Sequence, residues 1–254
     1  MMKIAINIIL LGFIGTLNAN RLPHNEAMFN RTHIFFRWEQ IPNTMNYDLS
    51  IQNLNDDEWF NVNTEKNSFL LTEFIDWNLN YAWYVCGNFE GESEPLCNEI
   101  KEFSTHPLPD YYPSEIYLLS HDESLSQEGI TVMDFESKNC SGAIDENGMP
   151  ILFIPKENFE QRFVFTQFLK NGNMVGFGPG KGYEIDLDGN IVFETPDGIT
   201  SLHHDFNKTP RNTYFFISAI IENQTCPQEC NSNLPDIIPW QGDIFMEIDK
   251  YGNE

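Results

Sequence analysis

Two adjacent imidazoles lie in the run Thr200-Ser201-Leu202-His203-His204-Asp205-Phe206. Histidine exchanges a proton near neutral pH, so a well-placed imidazole can serve as acid, base, nucleophile or metal ligand. Asp205, next in line, is of a type that accepts an imidazole N–H and fixes its tautomer. On a regular strand, neighbouring side chains face opposite sides. Only one of His203 and His204 then reaches a given surface, unless a bulge intervenes. Residue types alone leave three readings open: packing or turn capping, metal ligation, and catalysis. Arg211, a few positions on, reads as an exposed turn arginine, with anion binding as the alternative.

The elements that must position this run repeat along the chain. Asp145-Glu146-Asn147-Gly148, Asp186-Leu187-Asp188-Gly189 and Asp249-Lys250-Tyr251-Gly252 share the frame Asp-x-x-Gly, with glycines 41 and then 63 residues apart. The glycine supplies the positive φ of a tight hairpin between two strands. A second hairpin signal recurs at Lys170-Asn171-Gly172-Asn173 and at Thr209-Pro210-Arg211-Asn212. Two hairpins per period predict four-stranded units of the length of a propeller blade. The longer interval is then one unit with an insertion of about 22 residues at 222 to 240, carrying Cys226 and Cys230. On this reading His203 and His204 open a blade, on the strand that lines the channel. Residues 113 to 254 hold about three blades, whereas closed propellers have roughly four to eight. The third repeat also stops at Asn253-Glu254, where an apolar strand is due. The expectation is an incomplete propeller. The acidic Asp186-Leu187-Asp188-Gly189 lacks the terminal Glu of a calcium loop and reads as turn chemistry.

Residues 33 to 106 have a different grammar. Ile34-Phe35-Phe36-Arg37-Trp38, then Tyr47, Leu49 and Ile51, then Phe69-Leu70-Leu71, Tyr81-Ala82-Trp83-Tyr84-Val85 and Lys101-Glu102-Phe103 alternate with period two between Asn, Asp and Gly turns. About seven short strands make a β-sandwich. Trp38 on an early strand, Tyr47 after a proline-containing turn, and Tyr81 at the head of its strand resemble a fibronectin type III domain, which keeps a corner tyrosine at such a position. The aromatic residues are expected in its core, with a ligand-binding face as the alternative, and the domain, spanning 31 to 107, is assigned no chemistry. Thr105-His106-Pro107-Leu108-Pro109-Asp110-Tyr111-Tyr112-Pro113 reads as the linker.

Composition bounds the rest. With 38 acidic against 14 basic residues and a net charge of -24, the chain repels polyanions, which excludes an electrostatic nucleic-acid binder. At 41% hydrophobic and 14% aromatic it has enough apolar material to bury a core. Residues 1 to 19 read as a signal peptide: Lys3, an apolar run from Ile4 to Ile14, and the small-residue exit Leu17-Asn18-Ala19, with cleavage after Ala19. That predicts a periplasmic or secreted protein with disulfides. Cys86 with Cys97, and Cys226 with Cys230, are spaced to close small loops, with a zinc site as the alternative, and Cys140 is left over.

Taken together, the sandwich, the Pro-rich linker, Gly142-Ala143-Ile144-Asp145-Glu146-Asn147-Gly148, Tyr183-Glu184-Ile185-Asp186-Leu187-Asp188-Gly189, Leu202-His203-His204-Asp205-Phe206 and Asp243-Ile244-Phe245-Met246-Glu247-Ile248-Asp249 resemble the N-terminal part of the bacterial aryl-sulfate sulfotransferase family. The resemblance covers 113 to 254 and extends to the sandwich. It implies an all-β chain with a fibronectin type III-like sandwich followed by about three blades of a six-bladed propeller. The implied activity moves a sulfuryl group from a phenolic sulfate ester to a phenolic acceptor through a histidine. It needs no nucleotide donor, cofactor or metal. His203 and His204 match catalytic positions that contact the sulfate or donate a proton. The family's nucleophilic histidine comes from a later blade and has no counterpart here, so these residues read as a fragment lacking the nucleophile. The rival reading is a secreted, non-enzymatic propeller that binds carbohydrate or protein.

Overall fold

The computed structural model describes residues 21–91, 94–113, 116–117, 119–120, 122, 124–125, 129–159, 162–199, 201–225 and 237–253. The expected signal peptide lies outside them. The regular structure is almost wholly strand, in several separate sheets, none of them closed. The chain divides between Pro109 and Asp110 into two compact units. Among the described residues no helix is long and apolar enough to cross a membrane.

The first unit carries β1 (Ala27–Phe29), β2 (Ile34–Arg37), β3 (Thr44–Asn53), β4 (Trp59–Thr64), β5 (Ser68–Leu71), β6 (Asn80–Phe89), β7 (Leu96–Cys97) and β8 (Lys101–Thr105). One sheet has the order β1-β8-β6-β3-β4, with β7 added to β6, and β2 pairs β5 in a second. Alternation puts Tyr47, Leu49 and Ile51 of β3 and Tyr81, Trp83 and Val85 of β6 inward. They meet Ile34, Phe36 and Leu71 from the second sheet in one apolar cluster. Phe36 sits edge-on to both Trp83 and Phe103, at 5.2 and 5.9 Å between ring centroids. Tyr81 is fully buried, and its hydroxyl accepts the Asp76 N–H at 2.8 Å. Cys86 and Cys97 are disulfide-bonded across the β6–β7 register.

Alternation from residue 33 does not mark the start of this unit. Ahead of any periodic run, β1 pairs in parallel with β8, and Leu22 bridges Arg37. A strand of three residues is too short to show a period, so parallel pairing rather than pattern defines it.

The second unit builds three antiparallel sheets in chain order: β9 (Thr131–Phe135), β10 (Cys140–Ile144) and β11 (Pro150–Phe153); β12 (Val164–Phe168), β13 (Met174–Phe177), β14 (Gly182–Ile185) and β15 (Ile191–Glu194); and β16 (Leu202–Lys208), β17 (Tyr214–Thr225) and β18 (Ile237–Ile248). Of the expected four-stranded units only the middle one has four described strands. Ile151, Leu152, Phe159 and Phe163 pack against Met174, Tyr183 and Ile185 between the first two sheets. Val175 joins Leu202, Phe206, Tyr214 and Phe216 between the second and third.

All three Asp-x-x-Gly segments form the same turn. Asp145, Asp186 and Asp249 each accept, on one side-chain oxygen, the backbone N–H groups two and four residues on. Gly148, Gly189 and Gly252 have φ of 82, 81 and 83°. The acidic cluster at 186 to 189 is thus consumed by its own turn. A Cβ on Gly189 would stand 2.7 Å from Pro155 Cδ, so the glycine also lets the turn press against the segment leaving the preceding sheet. Gly252 meets Pro196 in the same way.

Of the expected insertion at 222 to 240, residues 222–225 and 237–240 lengthen one hairpin: β17 and β18 stay in register out to Thr225 opposite Ile237. Cys226 and Cys230 lie outside the described residues. Cys140 is a free, buried cysteine whose Sγ lies 3.6 Å from the Tyr111 carbonyl, and burial pushes its thiol pKa up.

Candidate functional site

Strand β16 is fixed at two apolar anchors. Leu202 and Phe206 are buried, at 4% and 0% exposure, and the Phe206 ring fills the space beside Gly182 that a side chain there would need. Leu202 pairs Ser218 and Phe206 pairs Phe216. His203, His204 and Asp205 must therefore span the distance that Ile217 alone covers on β17. The excess is taken up by a bulge, and His204 adopts a left-handed φ of 63° at its crest. A non-glycine residue there costs on the order of 1–2 kcal/mol.

The bulge cancels the alternation that would separate the two imidazoles. Their ring centroids lie 4.8 Å apart, the planes at 82°. His204 is exposed and His203 half-buried. His203 Nε2 lies 3.1 Å from Oδ1 of Asp243, a carboxylate on β18 that is 58% exposed. The geometry of that contact is poor for a hydrogen bond, so among the described residues neither ring nitrogen of His203 is hydrogen-bonded, though both atoms are shielded from solvent. An unsatisfied, shielded polar atom costs about 1–3 kcal/mol, and such atoms mark sites completed by water or a ligand.

Asp205, the acid adjacent in sequence, takes another partner and accepts Asn207 Nδ2 at 2.5 Å. The carboxylate that serves His203 is Asp243, opposite Ala219 in the β17–β18 register. No local motif flags it, because it reaches the site only through the pairing of a hairpin closed far along the chain. Arg211 forms a two-pronged pair with Glu247 at 2.9 and 2.8 Å, at the turn end of β16 and β17. It is a turn arginine, occupied by its own sheet.

A second polar cluster lies deeper. Glu184 on β14, 2% exposed, accepts Lys208 Nζ at 2.6 Å, the Tyr214 hydroxyl at 2.6 Å and Asn173 Nδ2 at 2.6 Å. Burial alone would raise its carboxyl pKa, but the bonds from Lys208, Tyr214 and Asn173 outweigh burial and hold it below its ordinary value. Burial and the bond to Glu184 push the Tyr214 hydroxyl well up. Every group is satisfied, so this cluster ties sheets together. Among the described residues no group of three or more His, Cys, Asp or Glu side chains is arranged to hold a metal.

Comparison with known proteins gives no match, neither to a family model nor to a curated protein.

Proposed function

We propose that the chain belongs to a sulfuryl-transfer protein, related to the aryl-sulfate sulfotransferases, in which His203 and His204 contact the transferring group. The observation that carries this reading is the β16 bulge. It sets two imidazoles side by side and leaves both His203 ring nitrogens shielded and without hydrogen bonds.

The chemistry uses such groups directly. The S–O bond to the donor phenol breaks, charge grows on the departing phenolate and on three sulfuryl oxygens, and an acceptor phenol takes the group as its own proton leaves. Imidazole N–H groups aimed at those oxygens stabilise the transition state, and a protonated imidazole can deliver the proton the leaving phenolate needs. Asp243 Oδ1, 3.1 Å from Nε2, is placed to orient the His203 ring. Passage of the group through a histidine nucleophile would split the displacement in two. Neither His203 nor His204 is assigned that role.

The architecture proposed around the site is a fibronectin type III-like sandwich followed by propeller blades. The sandwich reading is supported by the order β1-β8-β6-β3-β4 facing β2-β5 and by the corner bond from Asp76 N–H to Tyr81. The blade reading is supported by successive stacked sheets carrying the same Asp-x-x-Gly turn. The signal-peptide pattern of residues 1 to 19 and the Cys86–Cys97 disulfide support export to the periplasm or beyond.

The test is transfer from 4-nitrophenyl sulfate to phenol by the protein as its gene encodes it, with no nucleotide or metal added. Release of 4-nitrophenol that depends on phenol and shows ping-pong kinetics supports the proposal. Absence of transfer, with no binding of 4-nitrophenyl sulfate either, overturns it in favour of a non-enzymatic propeller.

A further inference from the structure

We infer that the outer face of the larger sheet in the first unit is a binding site for a neutral glycan. Strand parity turns Asn46, Asp48, Ser50 and Gln52 of β3 away from the core that holds Tyr47, Leu49 and Ile51. Their cross-strand partners form rows: Trp59, Gln52 and Ala82; then Asn61, Ser50 and Tyr84; then Asn63, Asp48 and Cys86. From the Trp59 row to the Asp48 row is four strand residues, about 13 Å.

One end of this face is aromatic. Trp59 is 47% exposed and touches Tyr84 edge-on, at 6.3 Å between centroids and 75° between planes. The two rings together present an aromatic surface beside the polar array, on which an apolar C–H face can stack. The rest of the face is a fixed array of carboxamides. Asn63 Nδ2 donates to Asn46 Oδ1 and to Asp48 Oδ1, at 3.0 and 2.6 Å, and Asn88 Nδ2 donates to Asn46 Oδ1 and to Asp48 Oδ2, at 2.7 and 2.8 Å. Ser50 Oγ donates to Asn61 Oδ1 at 2.8 Å. These bonds hold the side chains in place and leave Asn61 Nδ2 and the Oδ1 atoms of Asn63 and Asn88 unpaired among the described residues.

A ligand that fits must offer an apolar C–H surface to an indole and alternating donors and acceptors to amides. A sugar ring offers both. Charge selects among sugars: none of these side chains is a cation, Asp48 is anionic, and the chain carries -24, so an acidic or sulfated glycan is repelled. This inference does not depend on the sulfuryl-transfer reading, which concerns the other unit.

The test is native affinity electrophoresis of the whole protein through gels containing, in turn, hydroxyethyl cellulose, xylan, galactomannan and laminarin, with heparin and polygalacturonate as acidic controls. Retardation by at least one neutral polysaccharide and by neither acidic one is expected. Trp59→Ala should weaken that retardation by about tenfold or more in affinity, and Trp59→Phe should restore much of it. Asn61→Ala should also weaken it. Trp59 is exposed, so its variants should keep the wild-type melting temperature, whereas Asn61→Ala also orphans the buried Ser50 hydroxyl and should lower it slightly. No retardation by any neutral polysaccharide, retardation by the acidic ones alone, or Trp59→Ala binding like the wild type would each overturn the inference.

Discussion

Glu184 on β14 and Lys208 on β16 meet at 2.6 Å, and their contact ties the middle sheet of the second unit to the sheet that carries the paired histidines. Removing one partner leaves the other charge shielded and uncompensated. Lys208→Met should destabilise the second unit by about 3–5 kcal/mol. The double variant with Glu184→Gln should recover part of that loss. Urea unfolding of the three variants reads the coupling.

The same pair sets an acid limit. The Glu184 carboxyl is held below its ordinary value of 4.5 when folded. Its contribution is therefore complete above the unfolded value and is lost as pH falls through the lower, folded one. Melting temperatures between pH 6 and pH 3 should drop more steeply for the wild type than for Glu184→Gln.

Gly189 should not tolerate a side chain. With φ at 81° and Pro155 Cδ 2.7 Å from the modest volume of a Cβ, Gly189→Ala meets both backbone strain and a clash. A loss of more than about 1 kcal/mol is expected by denaturant titration. Asn190→Ala in the same turn should cost less.

The histidines should separate by role. In the protein as its gene encodes it, His203→Ala should lower turnover of 4-nitrophenyl sulfate by about 100- to 1000-fold, the worth of a donor aimed at transition-state charge. His204 sits at a left-handed position, so His204→Gly should hold or slightly raise the melting temperature, whereas His204→Val should lower it. Near-normal transfer by both His203→Ala and His204→Ala would remove the catalytic reading.

The Cys86–Cys97 bond closes a short hairpin loop, with a sequence separation of 11. Replacing both residues by Ser should cost about 2–4 kcal/mol, read as a shift in the denaturant midpoint.

Period-two alternation was a sound guide wherever one face of a strand is buried: Tyr47, Leu49, Ile51, Tyr81 and Trp83 all point inward. Turn chemistry was equally legible, because an Asp that caps its own turn and a glycine at positive φ are local requirements. Three features were not local. Trp59 reads as one more core aromatic until the β3–β4 register fixes its parity. The bulge at His203 and His204 exists because Leu202 and Phe206 bind positions on β17 too close together for the residues between them. Asp243 joins His203 only through a hairpin whose strands are twelve residues each.

The second unit's sheets make their substantial contacts with the sheet before and the sheet after, and Gly189 and Gly252 bear on prolines of segments made earlier. Each new sheet then finds its template already in place as the polypeptide emerges. Assembly can advance from the N-terminal end like a growing stack, without waiting for distant segments. A lesion in the middle sheet would halt that advance, and proteolysis of nascent chains stalled at increasing lengths would find β9 to β11 protected before β16 to β18 are made.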